Sequence, residues 1–95
     1  MKIFFLGGTF DPPHLGHLGV SQLCLQHCDK LVIIPSKQNP FKSRPFFSCS
    51  ERVEMLDIMF GKINNIEIDL FEVKSDSSVN YSIDTIKYLA DKYVN

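Results

Sequence analysis

Residues 7–17 read Gly7-Gly8-Thr9-Phe10-Asp11-Pro12-Pro13-His14-Leu15-Gly16-His17 and join an apolar run to a helical pattern. The run before them, residues 3–6, has no polar interruption, which is typical of a parallel strand covered on both faces. After them, leucines at positions 15, 18, 23 and 25 predict a helix from about Leu15 to Gln26 with a broad apolar face. A buried strand that passes through a glycine-rich loop into a helix is the opening of a βαβ unit.

The rest of the chain repeats this alternation of strand and helix. Residues 31–34 form a second continuous apolar run, and residues 66–70 alternate like an outer strand that half faces water. Between them, residues 48–51 (Ser-Cys-Ser-Glu) form a capping-box pattern that begins a helix ending at Gly61. A third helix is predicted to begin near residues 80–82.

The length of the chain limits this architecture. Its 95 residues are too few for the six strands and the helices of a complete doubly wound sheet. We therefore predict a single α/β domain over residues 1–95, a Rossmann-like parallel sheet of three βα units in the order 3-2-1, which is half of the full fold. The first strand is then an uncovered apolar edge, which favours self-association or a second half that covers it.

Composition excludes several classes of protein. Ten basic and eleven acidic residues give a net charge of −1, which favours neither nucleic acid nor an anionic membrane surface. The 44% of hydrophobic and 22% of charged residues are typical of a globular domain. No apolar run approaches the roughly 18 residues that cross a bilayer, and the apolar run near the start is too short for a signal peptide. These features predict a cytoplasmic protein.

The three cysteines are expected to be free thiols, because their number is odd and no export signal accompanies them. Cys24, His27 and Cys28 fall within one helical turn and could suggest zinc. Structural zinc ligands normally come from two separate segments of chain. We therefore interpret this cluster as packing and predict no metal site within the protein.

Two histidines in the first loop carry the strongest chemical signal. In a parallel α/β sheet this loop lies at the carboxyl end of a strand, where ligands bind. His14 and His17 are three residues apart at a helix start, so both can reach one point and donate hydrogen bonds to phosphoryl oxygens. The glycines and the helix N-terminus also suit a phosphate. The alternative is structural: a left-handed turn at Gly7-Gly8, a turn capped by Asp11, and two surface histidines.

The connection over residues 35–48 is a second candidate for ligand binding. It carries Lys37, Lys42 and Arg44 and no acidic residue. A basic loop beside a glycine-rich turn suits a nucleotide triphosphate. Together with the motif of the first loop, this makes Lys42 a credible phosphate ligand, with Lys37 and Arg44 as weaker candidates. The alternative is a solvated loop whose phenylalanines pack on the domain.

In combination these motifs resemble the nucleotidyltransferases that carry the HxGH signature, and over a longer stretch the bacterial nicotinate-nucleotide adenylyltransferases. The similarity runs in order through residues 7–18, Pro35 with residues 39–42, residues 52–55 (Arg-Val-Glu-Met) and residues 81–86 (Tyr-Ser-Ile-Asp-Thr-Ile). Ser82 stands where the family usually has threonine. The family's second half, which includes a motif that binds ATP phosphates, has no counterpart in these residues.

The resemblance implies an enzyme of NAD biosynthesis that transfers the adenylyl group of ATP to nicotinate mononucleotide, releasing deamido-NAD and pyrophosphate. It implies Mg²⁺ carried with ATP, and His14 and His17 as the catalytic residues. The implied binding residues fall into a nucleotide group, Gly8, Thr9, Phe10 and Lys42, and a mononucleotide group, Arg52, Tyr81 and Ser82.

Several alternatives remain open from the sequence. Ser82 is also a suitable helix cap, and Arg52 could simply pair with an acid such as Glu51. The chain could be an inactive nucleotide-binding fragment or an assembly subunit. It could also be another adenylyltransferase, such as the phosphopantetheine-specific enzyme. The sequence does not choose between nicotinate and nicotinamide mononucleotide.

Overall fold

Three parallel strands form one sheet in the order β1-β2-β3, in a computed structural model that describes residues 1–37, 46–74 and 82–94. The strands are β1 (Ile3–Gly8), β2 (Lys30–Pro35) and β3 (Ile66–Ile68). Helix α1 (Leu15–Leu25) follows β1, and α2 (Cys49–Phe60) lies between β2 and β3 in the chain. The predicted α/β class, the parallel sheet and the strand order 3-2-1 are confirmed.

Strand β2 is the centre of the sheet. It pairs with β1 and with β3, and Leu31, Val32 and Ile33 are completely buried. Successive side chains of a strand point to opposite faces. Leu31 and Ile33 therefore enter one core and Val32 and Ile34 another, which explains why the run is continuously apolar.

The two cores place the helices on opposite faces of the sheet. The first core joins Leu31 and Ile33 to Phe10 and to Leu56 and Phe60 of α2, and side chains of α1 pack against it. The second joins Val32 and Ile34 to Leu89. Leu89 ends helix α4 (Ser82–Leu89), which continues as a π-helix over Ala90–Val94. The three-layered arrangement places Ser36, the first residue after β2, beside the end of β1, where the Ser36 amide donates to the Gly8 carbonyl.

Helix α2 begins and ends as its sequence predicts. The Ser48 hydroxyl accepts from the Glu51 amide at 3.2 Å, and the Ser48 amide donates to the Glu51 carboxylate at 3.0 Å. This reciprocal capping box satisfies two otherwise free backbone donors. Arg52, Leu56 and Phe60 lie four residues apart and are all buried, so they form one buried stripe along α2.

Two predictions of burial are wrong. Strand β1 is not covered on both faces, since Phe5 is 41% exposed and other side chains of this strand are half-buried. On α1 the broad apolar face is not buried as a whole. Leu18 and Leu25 pack on the core, whereas Leu15 and Leu23 are 79% and 57% exposed. The reason is geometric, because one stripe of a helix contacts the sheet and the flanking leucines lie beyond it.

The third unit differs in detail from its prediction. Strand β3 ends at Ile68 rather than at residue 70, and a short helix, α3 (Phe71–Lys74), follows it. The Asp69 carboxylate accepts from the Phe71 amide at 3.0 Å, which turns the chain out of the strand. The predicted third helix is α4, and the π-helical turn that follows it was not foreseen, since apolar spacing does not distinguish the two. In the described ranges no helix has the length and apolar character that a membrane crossing requires.

Candidate active site

The loop after β1 begins in extended backbone. Gly7 and Gly8 are the last residues of β1, and neither has a positive φ, so the left-handed turn considered at this pair is wrong. The positive φ falls instead on Phe10, at 54°, whose ring is buried in the first core. The Ser36 amide donates to the Gly8 carbonyl at 2.9 Å. The loops after β1 and β2 therefore start in contact with each other.

His14 and His17 form the beginning of α1. The Gly16 amide donates to Nδ1 of His14 at 3.0 Å, and the His14 amide donates to Nδ1 of His17, also at 3.0 Å. The two rings lie with centroids 4.0 Å apart. Because Nδ1 accepts a hydrogen bond in both rings, each neutral imidazole carries its proton on Nε2. The structure thus brings the two histidines together and makes Nε2–H the donor of each neutral ring.

Gly16 is required by this arrangement of rings. A Cβ atom at position 16 would lie 2.7 Å from Cε1 and 2.9 Å from Nδ1 of His14. Any side chain there would displace the imidazole from the amide that it caps. Gly19, one helical turn later, has open space where its Cβ would be. The glycine of the HxGH signature therefore has a local steric explanation.

His17 is held towards its neutral form. Burial lowers its pKa from the ordinary 6.5, and the positive charge of protonated His14 lowers it further. The His17 ring packs edge-to-face with the buried Phe10 ring, and the two centroids are 4.8 Å apart. A neutral imidazole keeps Nδ1 available to accept from the His14 amide, so the capping geometry and the lowered pKa agree.

Asp11 connects the loop after β1 to the start of α2. Its carboxylate accepts from the amides of Phe46 and Phe47, the latter at 2.7 Å. The predicted capping role of Asp11 within its own turn misses this contact, because the two partners lie 35 and 36 residues away in the chain. Sequence offers no local signal for such a contact.

Arg52 lies beneath the loops and is 1% exposed. Nη1 donates to the carbonyls of Thr9 at 2.7 Å and Ser36 at 2.6 Å. Nη2 donates to the Lys37 carbonyl at 2.9 Å and to Sγ of Cys49 at 3.1 Å, and Nε to the Phe47 carbonyl at 3.2 Å. These five bonds equal the number of N–H groups on a guanidinium.

This placement bears on both roles considered for Arg52. The contact with the mononucleotide that the resemblance implies stays a prediction, and the buried guanidinium does not reach a free surface in this structure. Nor does it pair with Glu51, whose carboxylate accepts from the Ser48 amide in the capping box. The described partners of Arg52 are carbonyl oxygens and one sulfur.

A second polar cluster lies on the other face of the sheet, where β3 ends. One oxygen of the buried Asp69 carboxylate accepts from Tyr93 at 2.9 Å, Lys92 at 3.0 Å and Tyr88 at 3.1 Å. Burial alone would raise the pKa of Asp69, but these bonds and the one from the Phe71 amide outweigh it, and the pKa lies below its ordinary value. The cluster fastens α4 and the π-helix to β3.

An open cleft of about 470 Å³ lies beside this second cluster, not at the histidines. Its lining includes Asp69, Phe71, Lys74, Tyr88 and Lys92. Within the part of the chain that the structure describes, no group of three or more His, Cys, Asp or Glu side chains could hold a metal ion. Cys24 and Cys28 pack against the first core, and all three cysteines are free.

Comparison with known proteins gives the family. The model of the cytidylyltransferase-like family matches residues 5–94, which is nearly the whole chain. This chain belongs to the cytidylyltransferase-like family. Members are nucleotidyltransferases, and the resemblance seen in the sequence is confirmed at this level.

Curated relatives within this family share one name. Proteins of Aliarcobacter butzleri, Nitratiruptor sp. and Campylobacter jejuni are called probable nicotinate-nucleotide adenylyltransferase. They are 38%, 37% and 41% identical to this chain over 95, 95 and 97 residues, and the match covers 98% of this chain in each case. It covers 52%, 53% and 52% of the relatives. This member of the family therefore spans about half the length of the curated relatives that it matches.

A solved structure supports the fold. The nicotinic acid mononucleotide adenylyltransferase of Plasmodium falciparum, complexed with NaAD, matches 98% of this chain and 47% of its own, with a TM-score of 0.74. The sequence identity is 22%, so this likeness carries the fold alone. It agrees with the Rossmann-like architecture described above.

The residues predicted for the site divide into three groups. The structure gathers His14 and His17 with Gly8, Thr9 and Phe10 at the end of β1. Ser82 is the first residue of α4. Lys42 and Tyr81 lie outside the described residues, and their predicted roles stay predictions.

Proposed function

We propose that this family member transfers the adenylyl group of ATP to nicotinate mononucleotide, producing deamido-NAD and pyrophosphate. The observation that carries the proposal is the pair of adjacent imidazoles at the N-terminus of α1, each with Nδ1 occupied and Nε2–H as its donor. The names of the relatives favour nicotinate mononucleotide and ATP as the substrates.

In the proposed reaction, an oxygen of the mononucleotide phosphate attacks the α-phosphorus of ATP. A new P–O bond forms while the bond from the α-phosphorus to the bridging oxygen of pyrophosphate breaks. The attacking phosphate is already an anion at neutral pH, so the step needs no general base. Catalysis then consists of positioning and stabilisation of charge on the phosphoryl oxygens.

His14 and His17 supply that stabilisation in the proposal. Their Nε2–H groups donate to phosphoryl oxygens at the carboxyl end of β1, where parallel α/β sheets bind ligands. The backbone of Gly8, Thr9 and Phe10 lines the nucleotide site, and Lys42 neutralises the triphosphate. Tyr81 and Ser82 hold the mononucleotide.

Magnesium enters the proposal as part of the MgATP substrate. Asp11, the acidic residue of the first loop, already accepts from two backbone amides, so it does not offer a free carboxylate there. Magnesium is usually held through substrate phosphates and water rather than by an all-protein cage. The residues of this chain then act on the phosphates, not on the ion.

The test is release of pyrophosphate from MgATP and nicotinate mononucleotide by the purified chain. We expect His17→Ala to lower turnover by about 10²–10³-fold, as loss of a transition-state donor does. His27→Ala is the matched control, because His27 is an exposed histidine beyond the opposite end of α1, and it should turn over normally. Near-normal turnover by His17→Ala would contradict the role of this residue.

Further substrates separate the alternatives. The family model is named for cytidylyl transfer, so CTP is compared with ATP, and phosphopantetheine and nicotinamide mononucleotide are compared with nicotinate mononucleotide. If one of these compounds is turned over faster, it becomes the proposed substrate in place of ATP or nicotinate mononucleotide. ATP binding without turnover would favour the inactive nucleotide-binding fragment.

Self-association remains part of this proposal. The exposed large apolar side chains include Phe5 on β1, Leu15, Val20 and Leu23 on α1, and Ile58 and Ile86. Light scattering of the purified chain should show association at micromolar concentration, and a compact monomer would contradict it.

A further inference from the structure

We propose that Arg52 is a positioning residue of the nucleotide site, which aligns the loop after β1 with residues 36 and 37 after β2 and does not touch the substrate. The nature of the ligand rests on the proposed function, whereas the alignment of the loops rests on geometry alone. Arg52 is 1% exposed, and its hydrogen bonds reach three separate segments of the chain.

The closest coupling passes through a single nitrogen atom. Nη1 of Arg52 donates to Thr9 of the first loop at 2.7 Å and to Ser36 of the second at 2.6 Å. Two carbonyls that share one nitrogen cannot move apart without breaking one of these bonds. Arg52 therefore holds the Thr9 and Ser36 peptide groups in a common position.

Arg52 also determines which way the peptide groups face. In a trans peptide the carbonyl and the following amide point in opposite directions. The Thr9 carbonyl points inwards to Arg52, so the Phe10 amide points away from it. Phe10 is one of the residues whose backbone is proposed to line the nucleotide site. Loss of the guanidinium would free this peptide to rotate.

Asp11 and Arg52 both bind the backbone of Phe47, just before α2 begins. The Phe47 amide donates to the Asp11 carboxylate, and the Phe47 carbonyl accepts from Nε of Arg52. A buried cation and a carboxylate thus connect the first loop to the start of α2. The planar guanidinium suits this role because it offers five donors in a fixed plane, whereas lysine offers three from one atom.

The test compares Arg52→Lys with Leu56→Ala. Leu56 lies one turn further along the buried stripe of α2 and is completely buried, but it packs in the apolar core. In Arg52→Lys we expect amide hydrogen exchange at Ser36 and Phe47 to accelerate at least tenfold beyond any loss of global stability. Exchange at Leu31 in the sheet reports that global loss and serves as the reference. Leu56→Ala should lower the melting temperature without this local effect.

Activity supplies a second readout. At a temperature where both variants are folded, Arg52→Lys should lower kcat for pyrophosphate release at least tenfold, and Leu56→Ala should stay within twofold of the unmutated chain. Equal exchange at Ser36 and Phe47 in the two variants, after correction for stability, would overturn the proposal. If the unmutated chain releases no pyrophosphate, the proposed function fails and the exchange experiment still decides the role of Arg52.

A measurement on the unmutated chain covers the case in which Arg52→Lys does not fold. The Arg52 Nε–H resonance should exchange with solvent at least a hundred times more slowly than that of free arginine, and it should stay protected when MgATP is added. Rapid exchange would show a guanidinium open to solvent and would overturn the proposal.

Discussion

The two polar clusters of this molecule hold the chain together in opposite ways. On the α2 side a buried cation, Arg52, donates hydrogen bonds to neutral backbone carbonyls in the segments that follow β1 and β2. On the α4 side a buried anion, Asp69, accepts hydrogen bonds from the side chains of Tyr88, Lys92 and Tyr93. The first cluster acts on loop backbone, and the second acts on the packing of a helix.

The two clusters should therefore affect different properties: the Asp69 cluster the stability of the fold, and the Arg52 cluster the geometry of the candidate site. A lost side chain on the α4 side removes contacts between whole elements, so its effect should appear in the free energy of unfolding. A lost side chain on the α2 side, or at the start of α1, shifts the peptide groups and rings that would face a ligand. The comparison therefore predicts larger losses of stability from Asp69 and more local losses from the residues around the histidines.

The largest effect is expected for Asp69→Ala, which should lower the free energy of unfolding by about 2–4 kcal/mol. The carboxylate is buried and accepts four hydrogen bonds, whose donors would lose their partner. Glu67→Ala is the comparison at the exposed side of the same cluster, because Glu67 is more exposed, pairs with Lys30 at 2.7 Å and Lys92 at 3.5 Å, and accepts from the Tyr93 hydroxyl. Glu67→Ala should lower the free energy of unfolding by less than about 1 kcal/mol. Urea unfolding gives both values, and equal costs would remove the contrast between the clusters.

A smaller and more local effect is expected for Gly16→Ala compared with Gly19→Ala. Alanine at position 19 meets open space, so it should stabilise α1 by about 0.5–1 kcal/mol. Alanine at position 16 would displace the His14 ring, so this variant should be less stable than Gly19→Ala by roughly 1–2 kcal/mol. Thermal unfolding and the NMR shift of the amide at position 16 check the prediction, and equal stability of the two variants would contradict the steric role of Gly16.

The smallest effect concerns the pKa of His17. Burial is the main cause of its lowered pKa and protonated His14 is the second, so His14→Asn should raise this pKa without restoring it fully to 6.5. Asparagine is a good N-cap and preserves the start of α1. An NMR titration of the His17 ring measures the shift, and an unchanged or lower pKa would show that the two rings do not interact electrostatically.

The same shift fixes the sign of a pH effect on stability. A histidine whose pKa is lower in the folded state binds fewer protons there than in the unfolded chain near pH 6. The stability that neutral His17 contributes is therefore present above pH 6.5 and is lost as the pH falls through its lowered value. Unfolding measured between pH 7.5 and 5 should show this loss, and His14→Asn should reduce it.

Much of the fold follows from short patterns in the sequence. The apolar run at residues 31–34 predicts the central strand, and the capping box at Ser48 predicts the start of α2. The spacing of His14 and His17 predicts that they meet. Asp11 and Arg52 could not be placed in this way, because both Asp11 partners and three of the five Arg52 partners lie 15 to 43 residues distant in the chain.

By itself the sequence determined the α/β class, the order of the three strands, the family and the meeting of the two histidines. These depend on local periodicity, on caps and on spacing within one helical turn, which act between near neighbours in the chain. Only the tertiary structure decided that Gly7 and Gly8 are extended, that Arg52 is buried beneath the loops and that Asp69 fastens α4. Those features depend on which backbone carbonyls and side chains converge when parallel strands bring distant loops to one edge of the sheet.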